Sequence, residues 1–291
     1  MSARWDRGVV VAFDGGPAGV HALEWAAATA DRHGAPLLVR HVLDPSVAAA
    51  RASTFDADYD AGRVVDHAMD VLAGFRPGGH EVSATVARGM LLPTLLAASR
   101  SADLLVLGRS GPGFPVSFGG ATGGGTPSLS AEVCRGARGP VAVVPASSPG
   151  EPTGRVLVWI GDDDGAARAL DVGFDEAQAG ERFLTVLHVL EHAGALTSAD
   201  GARYMRTWRW SAAAAVWERV ERCAERHDPV EHGVLVRTGS AAEVLAAEVR
   251  PDDLLVLGRP APARRATTAP AVVRHVLRSV RCPVVVAGAA R

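Results

Sequence analysis

Two short stretches of this chain carry residue types suited to holding an anion or a nucleoside. The first, Phe13-Asp14-Gly15-Gly16-Pro17, follows a run of valines. A carboxylate at the carboxyl end of a strand accepts hydrogen bonds from a ribose or from an adenine amino group, although Asp14 also suits capping of a following helix. The second, Gly108-Arg109-Ser110-Gly111-Pro112-Gly113, follows another aliphatic run; beyond the glycine-rich residues 119–125, Thr126-Pro127-Ser128-Leu129 opens a helical pattern. Glycines let backbone N–H groups approach an anion, and a helix N-terminus adds free donors and a favourable dipole. The third glycine of a dinucleotide fingerprint is missing, and a plain surface loop is the other reading. All 30 basic residues are arginine, which excludes a Lys-dependent phosphate loop and Schiff-base chemistry. Ser110, Ser128 and Cys134 have no motif partner to activate them, so the chain is read as non-catalytic. Cys134, Cys223 and Cys282 lie far apart with no CxxC, and the ten histidines form no HExxH, which argues against a disulfide framework or zinc site.

The elements that position these stretches come in two copies. Asp103-Leu104-Leu105-Val106-Leu107-Gly108-Arg109 recurs identically as Asp253-Leu254-Leu255-Val256-Leu257-Gly258-Arg259. In the same order, Val9-Val10-Val11 answers Val156-Leu157-Val158, and Arg40-His41-Val42 answers Leu187-His188-Val189. Gly139-Pro140-Val141 answers Cys282-Pro283-Val284. His41 and His188, as repeat equivalents at strand ends, read as structural. The turn-rich residues 145–152 read as a linker between domains at 1–146 and 153–291. Each half alternates Val/Leu-rich runs with helical patterns, predicting α/β architecture: two tandem doubly wound domains, each a five-stranded parallel sheet flanked by four helices. Strands are expected near 8–13, 37–42, 81–87, 103–108 and 140–145, with helices near 17–33, 60–76, 90–101 and 127–137. The second half predicts strands near 155–160, 183–189, 231–237, 253–258 and 283–287. In such sheets a ligand binds beyond the carboxyl ends of the strands, where the strand order reverses.

Net charge is −2, with 12 Arg against 13 acids in residues 1–150 and 18 against 19 in 151–291, so neither half carries a nucleic-acid binder's basic excess. No apolar run approaches a membrane span and no signal-peptide core precedes the first strand, so a cytoplasmic location and no membrane partner are expected.

The strand followed by Asp14, the His41-Val42 strand ending, Asp103 to Gly111, and the Arg281-Cys282-Pro283-Val284-Val285-Val286 closing strand together resemble the universal stress protein family, in two copies over nearly the whole chain. The resemblance implies five-stranded α/β domains that pair through their last strands, here as an intramolecular pseudo-dimer with a homodimer also open, and in many members ATP binding. The family's motif runs glycine, two residues, glycine, nine residues, then Gly-Ser or Gly-Thr opening a helix. On that pattern Asp14 matches the base-and-ribose carboxylate and Val42 the residue whose backbone meets adenine. Leu107, Gly108 and Gly111, with Arg109 between them, match the start of the phosphate loop, and Ser128 with the Leu129 N–H matches its close. Pro127 stands where the motif has glycine and, at the first helical position, deletes one N–H. In the second copy Gly161 replaces the carboxylate ahead of Asp162-Asp163-Asp164, Ala261 replaces the second glycine and Pro270 the third. The expectation is one adenine nucleotide, ATP with or without Mg²⁺, in domain one only, acting as a stress-response switch. The alternative is a nucleotide-free interaction scaffold acting through domain two and its aromatic helix. In that helix, near 204–220, Trp210, Ala213, Ala214, Trp217 and Val220 share one face and Tyr204, Trp208 and Ala212 another, and both are expected to be buried.

Overall fold

Five parallel strands in each half of the chain follow directly from the aliphatic runs. The computed structural model describes residues 5–45, 57–75, 79–109, 128–148, 151–161, 165–191, 199–259 and 269–288. The chain parts into two compact units between Glu151 and Pro152.

In the first unit the elements run β1 (Val9–Ala12), α1 (Pro17–His33), β2 (Leu37–Leu43), α2 (Ala57–Phe75), β3 (Val82–Arg88), α3 (Leu91–Ser101), β4 (Leu104–Arg109), α4 (Leu129–Gly136) and β5 (Val141–Pro145). The strands lie in the order β3-β2-β1-β4-β5, all parallel. Val9, Val11, Leu105, Val106, Val141 and Val143 are sealed from solvent, as parallel strands covered on both faces require. Helix α1 packs closely because it is rich in alanine, with Ala22, Ala26, Ala27 and Ala30 fully buried around Trp25. It starts with Pro17, whose missing N–H costs nothing there, and stops at Gly34, whose φ of +58° admits the left-handed turn.

The second unit repeats the plan: β6 (Val156–Ile160), α5 (Gly165–Ala179), β7 (Leu184–Leu190), α6 (Ala199–Ala224), β8 (His232–Thr238), α7 (Ala241–Glu248), β9 (Leu254–Leu257), α8 (Ala269–Ser279) and β10 (Val284–Val286). Its order is β8-β7-β6-β9-β10, again all parallel. Val9 pairs with Leu37 and Leu104, while Val156 pairs with Leu184 and Leu254, so the two registers coincide.

The duplicated heptapeptide has a structural reason at each end. Asp103 accepts hydrogen bonds from the Arg7 and Gly8 backbone N–H groups at 2.8 and 3.1 Å, and from the Arg7 guanidinium at 2.8 Å. Asp253, 1% exposed, accepts from Arg250 N–H at 3.0 Å and faces the Arg155 guanidinium at 3.4 Å. Each aspartate thus ties the start of its fourth strand to the chain entering its first.

Two expectations are corrected. The helix placed at 127–137 begins at Leu129 with Ser128 as its N-cap, so the first helical position is not Pro127, which lies outside the described residues. Of the first face assigned to the aromatic helix only Val220 is buried, and Trp208 and Ala212 of the second are half-buried. Val216, Val220 and Cys223 point inward, whereas Trp210 is 80% and Trp217 41% exposed. Tyr204 lies among side chains outside the described set. The valines and the cysteine, spaced four and three apart, form one narrow buried stripe, and Trp210 and Trp217 lie outside it.

Candidate functional site

In both units the strand order reverses next to the first strand, between β1 and β4 and between β6 and β9, which opens a crevice at the carboxyl ends of those strands. In the first unit Asp14 stands at that crevice, exposed, one residue beyond Phe13, whose N–H still donates to Arg40 O at 3.0 Å. The turn behind it is built from glycine. Gly15 takes φ +79°, a region L side chains avoid, and the Gly16 N–H donates to Asp14 Oδ1 at 2.9 Å. The N-cap of α1 is Gly16, with no side-chain cap, so Asp14 does not cap the first turn; its carboxylate braces the loop that leads into it.

Gly19 and Gly108 complete the floor. A Cβ on Gly19 would lie 2.7 Å from Asp14 Oδ1, and one on Gly108 would lie 2.4 Å from Ala18 O and 3.0 Å from Gly19 N. Asp14 and Gly108, 94 residues apart, therefore converge on the first turn of α1. Leu107 is buried in β4, and Arg109 closes that strand opposite Pro145. Val42 lies on β2 beyond the last β1 partner, Arg40, while still paired with Ala87 of β3. Alternate residues of a strand turn their backbone groups to the same neighbour, so Val42 directs its own toward the extension of β1 that carries Asp14. The His41 ring holds this corner, its Nδ1 donating to Phe13 O at 2.8 Å, as expected of a structural histidine.

Ser128 caps α4, its Oγ accepting from Ala131 N–H at 3.3 Å, and Leu129 is the first helical residue, so the earliest N–H groups of that helix have no intrahelical acceptor. Gly111, the 119–125 segment and Thr126 lie outside the described residues, as do Asp162–Asp164, Ala261, Arg264 and Arg265.

The second unit reproduces the frame, with glycine at the position equivalent to Asp14. His188 Nδ1 lies 3.1 Å from Ile160 O, and a Cβ on Gly258 would meet Gly165 O at 2.6 Å. The position after Ile160 is Gly161. Pro270 sits in the first turn of α8, where the ring is tolerated.

Titration is most displaced elsewhere in the second unit, at residues the sequence reading passed over. Burial, then the charge of Asp171 and a hydrogen bond to it, pushes the Cys223 thiol up to about 12. Burial also acts to raise Asp171, but hydrogen bonds from Arg226, Cys223 and His227 outweigh it and hold the carboxyl below its ordinary value. The signal was two pairs at i, i+4 spacing, Asp171 with Asp175 on α5 and Cys223 near the end of α6 with His227 just beyond it.

Comparison with known proteins fits this picture. The model of the universal stress protein family matches residues 7–145 and again 152–288. A universal stress protein of Mycobacterium tuberculosis strain H37Rv is 30% identical over 210 residues, covering 65% of this chain and 64% of its own length. One from Mycolicibacterium smegmatis is 28% identical over 264 residues, 86% of each chain. Among solved structures, a universal stress protein from Archaeoglobus fulgidus matches 98% of this chain and 99% of its own with a TM-score of 0.68 at 16% identity, a likeness of fold. No helix among the described residues is long and apolar enough to cross a membrane.

Proposed function

The chain belongs to the universal stress protein family, carrying the family domain twice, and we propose that it is a non-catalytic regulatory protein that binds one adenine nucleotide, ATP, in its first domain. The observation that carries this reading is the exposed Asp14 carboxylate at the β1/β4 crevice, set on a floor of glycines at 15, 16, 19 and 108 that any Cβ would crowd or strain. The fit is chemical as well as steric. Asp14 accepts from a ribose hydroxyl or the adenine amino group, the Val42 backbone meets the base edge, and the N–H groups opening α4 at Ser128 and Leu129 suit a phosphate. Mg²⁺, when bound with the nucleotide, screens phosphate charge. Domain two keeps the packing glycine but has Gly161 in place of the carboxylate, so it takes no nucleotide in this reading. Regulation follows if ATP binds one of two surface states better than the other and shifts their populations.

Binding of fluorescent ATP to wild type and to Asp14→Ala tests this. The expected result is saturable binding weakened at least tenfold in the variant; equal affinities would remove domain one as the site. A second reading, a nucleotide-free scaffold acting through domain two, is favoured by the exposed Trp210 and Trp217 on α6. Unchanged melting of the wild type with saturating ATP would select it.

A further inference from the structure

One cluster in domain two lies away from the crevice and takes no part in nucleotide binding. Asp171 and Asp175 project from successive turns of α5. Cys223 is in the last turn of α6 and His227 just past it, beside the start of β8, where Phe174 packs edge-on to His232. Cys223 Sγ lies 3.3 Å from Asp171 Oδ1, and His227 Nε2 lies 3.5 Å from the same oxygen. All three atoms fall within 4.8 Å of one another. Zinc bonds of the usual length to sulfur, nitrogen and oxygen set tetrahedral ligand atoms roughly 3.3–3.6 Å apart, which matches both measured edges.

The surroundings are those of a metal-ligating histidine. His227 is nine-tenths buried, its ring stacks on Phe174 at 5.2 Å, and its Nδ1 faces Asp175 Oδ1 at 3.3 Å. That places a carboxylate behind the nitrogen opposite the one aimed at Asp171, the arrangement that fixes a ligating tautomer. A cation already touches the same atoms: Arg226 Nη2 lies 2.8 Å from Asp171 Oδ1 and 3.4 Å from Cys223 Sγ. The Arg226 side chain is more than half exposed and can swing into solvent.

We infer that Asp171, Cys223 and His227 form a three-ligand site for a zinc-class divalent cation, with Asp175 as the positioning carboxylate and Arg226 as a displaceable guanidinium competing for the same oxygen and sulfur. Among the described residues the cluster occurs in domain two. In the common register the ligand Asp171 corresponds to Glu24 of α1 and the positioning Asp175 to Ala28, which carries no carboxylate.

Cobalt(II) titration of the reduced, full-length chain tests this directly. One equivalent should produce thiolate-to-cobalt charge-transfer absorption and tetrahedral d–d bands, and zinc should displace both. Cys223→Ser should lose the charge-transfer band while Cys134→Ser and Cys282→Ser keep it. His227→Gln should weaken binding at least tenfold, Asp175→Asn roughly tenfold, and Arg226→Ala should tighten it several-fold. No band in the wild type, or a band that survives Cys223→Ser, overturns the assignment. If Cys223→Ser does not fold, His227→Gln decides, and unchanged affinity there is equally fatal.

Discussion

The two domains share a frame and differ at the two places where a ligand could be held. Register, His41 against His188, Gly108 against Gly258 and Asp103 against Asp253 all coincide. At the crevice, domain one has Asp14 and domain two Gly161; on the first helix, domain two has Asp171 and Asp175 where domain one has Glu24 and Ala28. The comparison separates what the fold needs from what a ligand needs. Gly108 alone would read as part of a phosphate loop. Its twin persists in the copy that lacks the carboxylate, with the same 2.4–2.6 Å closeness to a helix backbone, so its first duty is packing.

The largest expected difference between the domains is in ligand linkage. Binding to the native state adds RT ln(1 + [L]/Kd), so ATP at 100 times its Kd should stabilise the nucleotide-binding unit by about 2.7 kcal/mol. Differential scanning calorimetry should show that gain in wild type and, with affinity weakened at least tenfold, about 1.4 kcal/mol or less in Asp14→Ala at the same ATP concentration. An undiminished gain in Asp14→Ala would break the contrast.

Next come the shared glycines. Gly108→Ala and Gly258→Ala each force a methyl against helix backbone and should cost roughly 1–3 kcal/mol in urea unfolding. Similar losses in the two support packing as the common cause; a harmless Gly258→Ala beside a damaging Gly108→Ala would return the residue to a ligand role.

Asp103→Ala strands the Gly8 N–H and the Arg7 guanidinium and should cost roughly 1–3 kcal/mol, measurable by the same unfolding curves. The smallest effects are on α6. Val220→Ala removes two buried methyl groups and should cost about 1.5 kcal/mol, whereas exposed Trp210→Ala should stay within about 0.5 kcal/mol. A large loss at Trp210 would show that its ring is covered after all.

Nearly all of the fold was legible in the sequence, because repetition and aliphatic runs report the same periodicity twice. Each strand found was anticipated within a residue or two. The placement of Asp14, Val42 and Gly108 near the carboxyl ends of their strands was legible as well, since a doubly wound sheet brings strand ends together by topology alone. The aromatic helix was misread because a periodic pattern shows which residues share a face but not which face is turned inward; Val216, Val220 and Cys223 won by size and spacing. The Asp171–Cys223–His227 cluster was missed for a different reason. Its pairs sit 52 residues apart and no familiar metal motif joins them, so only the packing of α5 on α6 brings them together.

The measurement that bears most directly on the central claim is calorimetric titration of nucleotide-stripped full-length protein with ATP, read for stoichiometry. The expected result is one site per chain, abolished or strongly weakened by Asp14→Ala. Two sites per chain, or one that Asp14→Ala leaves intact, would contradict it.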